Sequence, residues 1–191
     1  MTLPFARRVF VASLARTQGS PNSPFAHTHT MPATTQKLGN RLIVTGVTAE
    51  EYSETPFEVQ GELKMSVFIE GAKGGVVKVN GKVNNVSISG SQQVGVLFET
   101  AVASCELVNC KKVSVQTTGT VPTIQIDKST GTKLYLSAET AEGVTIYSSG
   151  SSETNVFAPK GDEMSESPLP EQFTSTFHNG VLTHAVAEAS E

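Results

Sequence analysis

Residues 119–137, GTVPTIQIDKSTGTKLYLS, hold two apolar triplets, Ile124-Gln125-Ile126 and Leu134-Tyr135-Leu136, separated by a run of Asp, Lys, Ser, Thr and Gly. In an extended chain successive side chains alternate between faces, so each triplet sends both aliphatic residues to one side. The intervening run is turn chemistry without helical periodicity. The same unit recurs along the chain from residue 59. Its inward residues are Val59, Ile69, Val79, Ile88, Phe98, Leu107, Val115, Ile126, Leu136, Ile146 and Val156, in steps of eight to eleven. Most have a second apolar or small residue two positions earlier, as in Val67/Ile69, Val86/Ile88 and Cys105/Leu107.

Strands that offer two core residues each make a poor meander or sandwich. Stacked as a parallel β-solenoid, with two strands in each coil of roughly 20 residues, they share one continuous core. The spacing then predicts one wall in which Val79 neighbours Phe98, Phe98 neighbours Val115, Val115 neighbours Leu136 and Leu136 neighbours Val156. The other wall runs Ile69, Ile88, Leu107, Ile126, Ile146. Asn84, Asn85, Asn109 and Asn155 are placed to satisfy turn backbone.

The formal charge of -4 is unevenly spread. Residues 1–49 carry five cations and no acid, and residues 50–75 carry six Glu against Lys64 and Lys73. Residues 76–136 carry six Lys against Glu99, Glu106 and Asp127, and residues 137–191 carry Lys160 against nine acids. A mildly basic middle beside an acidic end argues against nucleic acid as a partner, because phosphate binding needs clustered cations, usually including Arg. Nothing approaches the roughly 20 apolar residues of a membrane helix. Cys105 and Cys110 are the only cysteines, which is no disulfide framework and fits a reducing compartment. Residues 1–36 read as a leader. Arg7, Arg8 and Arg16 with Ser and Thr resemble an organelle presequence and VFVASLA a weak signal core, while a loose terminus or an upstream start before Met31 is the simpler reading. Residues 37–167 form the solenoid, and 168–191 a connector and hairpin.

In that last segment PLPEQF (168–173) is a stiff connector, and FTSTFHNGVLTHAV (173–186) is two strand-like runs around Asn179-Gly180, a strong hairpin signal. Such a hairpin either folds back on its own last coil or reaches a second subunit. Catalytic motifs are missing. His178 and His184 flank the hairpin turn without an acid or Cys at ligand spacing, so neither a metal nor another cofactor is expected. GAKGG (71–75) lacks the ending of a phosphate-binding loop, and no nucleophile elbow occurs. Cys105 shares the inward parity of Leu107 and reads as core. Cys110 precedes Lys111-Lys112, cations of the kind that lower a thiol's pKa, yet reads as an inert turn residue. Lys82, Lys111, Lys112, Lys128 and Lys133 all fall in spacers of the basic middle. They form either a solubilising set or a patterned field for an acidic protein surface.

Four stretches, VNGKVNNVSISGSQQVGVLFE (79–99), NCKKVSVQTTGTVPTIQIDKSTGTKLYLS (109–137), SSETNVFAP (151–159) and PLPEQF (168–173), together resemble the C-terminal domain of the adenylyl cyclase-associated proteins. The resemblance spans about residues 40–188 in order. It implies a right-handed parallel β-helix, dimerisation by exchange of the C-terminal hairpin, and non-catalytic binding of cytoplasmic monomeric actin, preferentially ADP-bound, with help in recharging it with ATP. The residues to which actin binding is assigned are Lys82, Lys111, Lys112, Lys128 and Lys133; the homodimer contact falls to Phe173, Phe177, Val181, Leu182 and Val186. Adenylyl cyclase binding, which the family places in an N-terminal part this sequence lacks, is not expected. Two departures bear on the surface: family members often carry Cys-Lys-Lys where this chain has Ser91-Gln92-Gln93, and Asp-Asp where it has Glu99-Thr100.

Two other classes compete. A tubulin cofactor C-like β-helix that activates a GTPase needs an arginine for the developing phosphate charge, and no Arg follows Arg41. A solenoid acting on polysaccharide needs clustered acids on an outer face, where the central coils carry Lys.

Overall fold

The computed structural model describes residues 32–187. Its strands are β1 (Thr34–Leu38), β2 (Arg41–Thr45), β3 (Phe57–Gln60), β4 (Ser66–Glu70), β5 (Val76–Ser89), β6 (Gly95–Val108), β7 (Ser114–Thr117), β8 (Thr123–Asp127), β9 (Lys133–Tyr135), β10 (Thr145–Ser149), β11 (Asn155–Lys160), β12 (Glu163–Pro168), β13 (Phe173–His178) and β14 (Val181–Val186). Two single-turn helices interrupt them, α1 (Ala49–Tyr52) and α2 (Ala138–Ala141).

The chain winds as a right-handed parallel β-helix with two walls. The first wall stacks β2, β4, the second half of β5, the second half of β6, β8 and β10; the second stacks β3, the first halves of β5 and β6, then β7, β9 and β11. The two arms of β5 and of β6 join into strands of 14 residues. The ladder between them is irregular between Val79 and Asn85, which marks the bend from wall to wall. Each coil is therefore arm, bend, arm and tight turn. Antiparallel β1 covers the first edge of β2, and antiparallel β12 covers the last edge of β11, the kind of protection raw sheet edges need.

The core is a set of columns. On the first wall Leu42, Val67, Val86, Cys105, Ile124 and Ile146 are successive neighbours, beside Val44, Ile69, Ile88, Leu107 and Ile126. On the second, Phe57, Val77, Val96, Val115, Leu134 and Val156 align, beside Val59, Val79, Phe98 and Thr117. Three of the expected neighbours on this wall are displaced by two residues. Val115 lies beside Val96 rather than Phe98, Leu134 rather than Leu136 lies beside Val115, and Val156 lies beside Leu134. On the first wall Ile146 pairs with Ile124, not Ile126.

The physical reason is polar. At the position after Phe98 the column passes to Thr117, whose Oγ1 lies 3.1 Å from Thr140 Oγ1. The Gly119 carbonyl accepts from Ser137 and Thr140, with Thr140 Oγ1 at 2.7 Å. Ser137 also caps α2 through Thr140 N–H. The coil spacing is 19 from Lys73 to Gln92, Lys111 and Thr130, and 22 from Thr130 to Ser152. The three extra residues fall between Leu134 and Ile146, where α2 sits.

Residues 1–31 of the expected leader lie outside the described residues. Strand β1 begins at Thr34, within the last residues assigned to that leader.

Candidate interaction surface

The tight turns are built alike in five successive coils. Two left-handed residues stand three apart: Gly71 and Gly74, Gly90 and Gln93, Asn109 and Lys112, Lys128 and Gly131, Gly150 and Glu153. Between them sits a small residue turned inward, in order Ala72, Ser91, Cys110, Ser129 and Ser151. Serine hydroxyls in this column accept from the backbone of the preceding coil: Ala72 N–H to Ser91 Oγ at 3.1 Å, Cys110 N–H to Ser129 Oγ at 3.0 Å, and Ser129 N–H to Ser151 Oγ at 3.0 Å. Of the four asparagines expected to support turns, only Asn109 occupies one. Asn84 and Asn85 lie at the bend and Asn155 opens β11. Serine hydroxyls do the work assigned to them.

The residue after each small one bridges to its equivalents along the helix, giving the column Thr48, Lys73, Gln92, Lys111, Thr130, Ser152. Lys111 is thus on an exposed ridge with Lys73, which the sequence reading had not grouped with it. Lys112 and Lys128 occupy left-handed positions, with φ of 54° and 49°. Their stems run over glycines of the next coil: a Cβ at Gly131 would lie 3.2 Å from Lys112 Cγ, and one at Gly150 3.8 Å from Lys128 Cγ. Lys112 and Lys133 line one groove of about 420 Å³ together with Gln93, Ser114, Glu153 and Asn155. Lys82 does not join them. It lies in the bend beside Thr100, at the end of the coil opposite the tight turn.

Among the described residues the ion pairs are Lys37–Glu62 at 3.2 Å and Lys78–Glu58 at 2.8 Å, both away from this ridge. Lys73, Lys111, Lys112, Lys128 and Lys133 belong to neither pair and lie along one edge, where Glu153 is the acid that shares the groove of Lys112 and Lys133. Ser91-Gln92-Gln93 and Cys110-Lys111-Lys112 are the same three turn positions in consecutive coils. The departure noted in the sequence thus removes two cations from the middle of the ridge.

The C-terminal hairpin forms as the Asn179-Gly180 signal predicts, with Phe173 opposite Val186, Ser175 opposite His184 and Phe177 opposite Leu182. These six share one face. Val181 pairs with His178 on the other face, so it is separated from the four apolar residues grouped with it. Phe173, Phe177, Leu182 and Val186 are 64%, 72%, 52% and 51% exposed. The chain reaches the hairpin from the tight-turn edge, where Leu169 N–H bonds the Thr154 carbonyl and Glu171 accepts from Glu153 N–H.

Burial pushes the Cys105 thiol far above its ordinary value, with Glu106 and Cys110 acting in the same direction. Cys110 is also raised by burial, partly offset by hydrogen bonds, and its Sγ lies 3.4 Å from the Ile88 carbonyl oxygen. The neighbouring lysines do not activate it. Arg41 is held over the Phe68 ring, 5.6 Å from its centroid. Among the described residues no cluster of His, Cys, Asp and Glu is placed to hold a metal, and no helix is long and apolar enough to cross a membrane.

Comparison with known proteins agrees with this architecture. The profile of the family described as "Adenylate cyclase associated (CAP) C terminal" matches residues 31–189. The chain is 34% identical over 183 residues to mouse adenylyl cyclase-associated protein 2, covering 91% of this chain and 38% of that protein. It is 40% identical over 122 residues to the Dictyostelium discoideum adenylyl cyclase-associated protein, covering 62% of this chain and 26% of that one. The match thus spans between about a quarter and two fifths of these relatives. The crystal structure of the cyclase-associated protein from Cryptosporidium parvum superposes with a TM-score of 0.74 at 29% identity, covering 82% of this chain and 96% of that one. The chain belongs to the adenylate cyclase-associated (CAP) C-terminal family.

Proposed function

We propose that this chain is a non-catalytic, cytoplasmic actin-monomer binding module that acts as a homodimer, sequestering ADP-actin or promoting its nucleotide exchange. The observation that carries the reading is the tight-turn ridge, where Lys73, Lys111, Lys112, Lys128 and Lys133 stand without ion-pair partners among the described residues. A row of exposed cations on a rigid scaffold suits an acidic protein surface and steers encounter with it. Lys112 and Lys128 add a second argument. A left-handed backbone costs a residue with a Cβ roughly 1–2 kcal/mol, and the following coil uses Gly at each of these positions, Gly131 after Lys112 and Gly150 after Lys128. Such strain is concentrated at functional positions. Lys82, at the opposite edge, is left out of this surface.

The homodimer is supported by the hairpin, whose apolar face is exposed. It is supported also by β10, which pairs with β8 on one side and with no strand on the other among the described residues. An open strand edge and an uncovered hairpin at the same end of a solenoid are complementary needs.

The test is exchange of fluorescent ATP onto ADP-actin with increasing protein, for the wild type and for Lys111→Ala/Lys112→Ala. Acceleration identifies a recycling factor, and slowing with saturable binding identifies a sequestering one. Each exposed charge pair contributes up to about 1 kcal/mol, so the double variant is expected to bind roughly tenfold more weakly with its fold intact. Wild-type affinity in the folded variant removes those two lysines from the site, and absence of any binding by the wild type refutes the reading.

A further inference from the structure

The hairpin carries a feature that its apolar character conceals. Between Gln172 and Ala187 there is no Asp, Glu, Lys or Arg; His178 and His184 are its only ionisable side chains. They stand on opposite faces. His184 occupies the centre of the apolar face, with Phe173 and Val186 forming the cross-strand pair on one side and Phe177 and Leu182 the pair on the other. Directly opposite it is Ser175, whose Oγ lies 2.9 Å from His184 Nδ1. That serine is the only other polar side chain on this face, and no acid is present on either strand to stabilise an imidazolium.

We infer that His184 makes the hairpin-mediated association of two copies of this chain acid-labile. The inference rests on the homodimer reading above. Covering the four apolar side chains of this face also covers the imidazole in their midst. Neutral, its Nδ1 is already satisfied by Ser175. Protonated, it carries into that contact a charge for which neither hairpin strand supplies a counter-ion, which is costly, and an imidazole is the side chain whose charge changes between pH 5 and 8. The sign follows. A group that must be neutral when buried binds its proton more readily in the separated subunits, so association is strongest above neutrality and is lost as pH falls. His178, on the face opposite the apolar cluster, does not share this constraint.

The experiment is sedimentation equilibrium of the 191-residue chain at pH 7.5 and pH 5.5, comparing wild type, His184→Gln and His178→Gln. Glutamine keeps a hydrogen-bonding partner for Ser175 and does not titrate. The dimer dissociation constant of the wild type and of His178→Gln is expected to rise at least tenfold on acidification, and that of His184→Gln to change less than threefold. A dimer whose dissociation constant is the same at both pH values overturns the role of His184 and leaves the dimer standing. So does a His184→Gln dimer that retains the wild-type response. A wild type that is monomeric at pH 7.5 refutes the homodimer itself.

Discussion

Thr132→Val should make this protein more stable, and Val113→Thr should make it less so. Val94, Val113, Thr132 and Thr154 precede aligned residues of consecutive coils, tied by Ser114 N–H to the Val94 carbonyl, Lys133 N–H to Val113 and Asn155 N–H to Thr132. Val113 and Thr132 are both fully buried. The Thr132 hydroxyl has no hydrogen-bond partner, so it bears a desolvation cost of about 1–3 kcal/mol. Valine removes that cost and adds one buried methyl group of nearly the same shape, worth about 0.8 kcal/mol. With some relaxation the net gain is about 1–2 kcal/mol, or a Tm increase of about 3–6 °C for a chain of this size. The reverse change at Val113 inserts an unmatched hydroxyl and should cost about the same. Thermal and urea unfolding at one fixed protein concentration measure both. If Thr132→Val lowers the Tm, or if the two substitutions act with the same sign, the column equivalence or the orphaned hydroxyl is wrong. Thr132 lies beneath the lysine groove, between Gly131 and Lys133, so actin affinity should not change in either variant.

Burial of both thiols predicts that Cys105 and Cys110 fail to react with a chromogenic disulfide reagent at pH 8 in the folded chain and titrate fully in urea. Prompt reaction of one thiol would show that the Cys110 turn is open. Lys112→Gly relieves left-handed strain but loosens the unfolded chain, so its stability should stay within about 1 kcal/mol of wild type while actin binding falls. A variant that loses stability and keeps affinity would make Lys112 a structural residue.

The apolar triplets reveal walls and coils without alignment, because period-two alternation fixes which residues face inward. It does not fix register. A slip of two leaves every inward residue inward, which is why Val115 was matched to Phe98 instead of Val96. Only the hydroxyl contact of Thr117 with Thr140 of α2 marks the register, and a threonine in a strand looks like any other β-branched residue. Hairpin parity, by contrast, was readable. A two-residue Asn179-Gly180 loop places Phe177 across from Leu182 and so puts Val181 on the other side.

The lysine surface was partly legible for a related reason. Charge counting finds the basic middle but, cut at residue 76, leaves out Lys73 of the same column as Lys111, and it groups Lys82, which lies at the bend, with the tight-turn lysines because spacers at the bend and at the tight turn have similar composition. What separates them is the 19-residue repeat of left-handed positions, in which Gly71, Gly90, Asn109, Lys128 and Gly150 are equivalent. Glycine in three of these five coils states what the backbone requires there. Lysine at Lys128, and again at Lys112 in the companion column, meets that requirement at an energetic cost a glycine would avoid. Cations kept against their backbone preference, side by side on one edge and outside the ion pairs of the described residues, are the strongest physical ground for proposing the partner there.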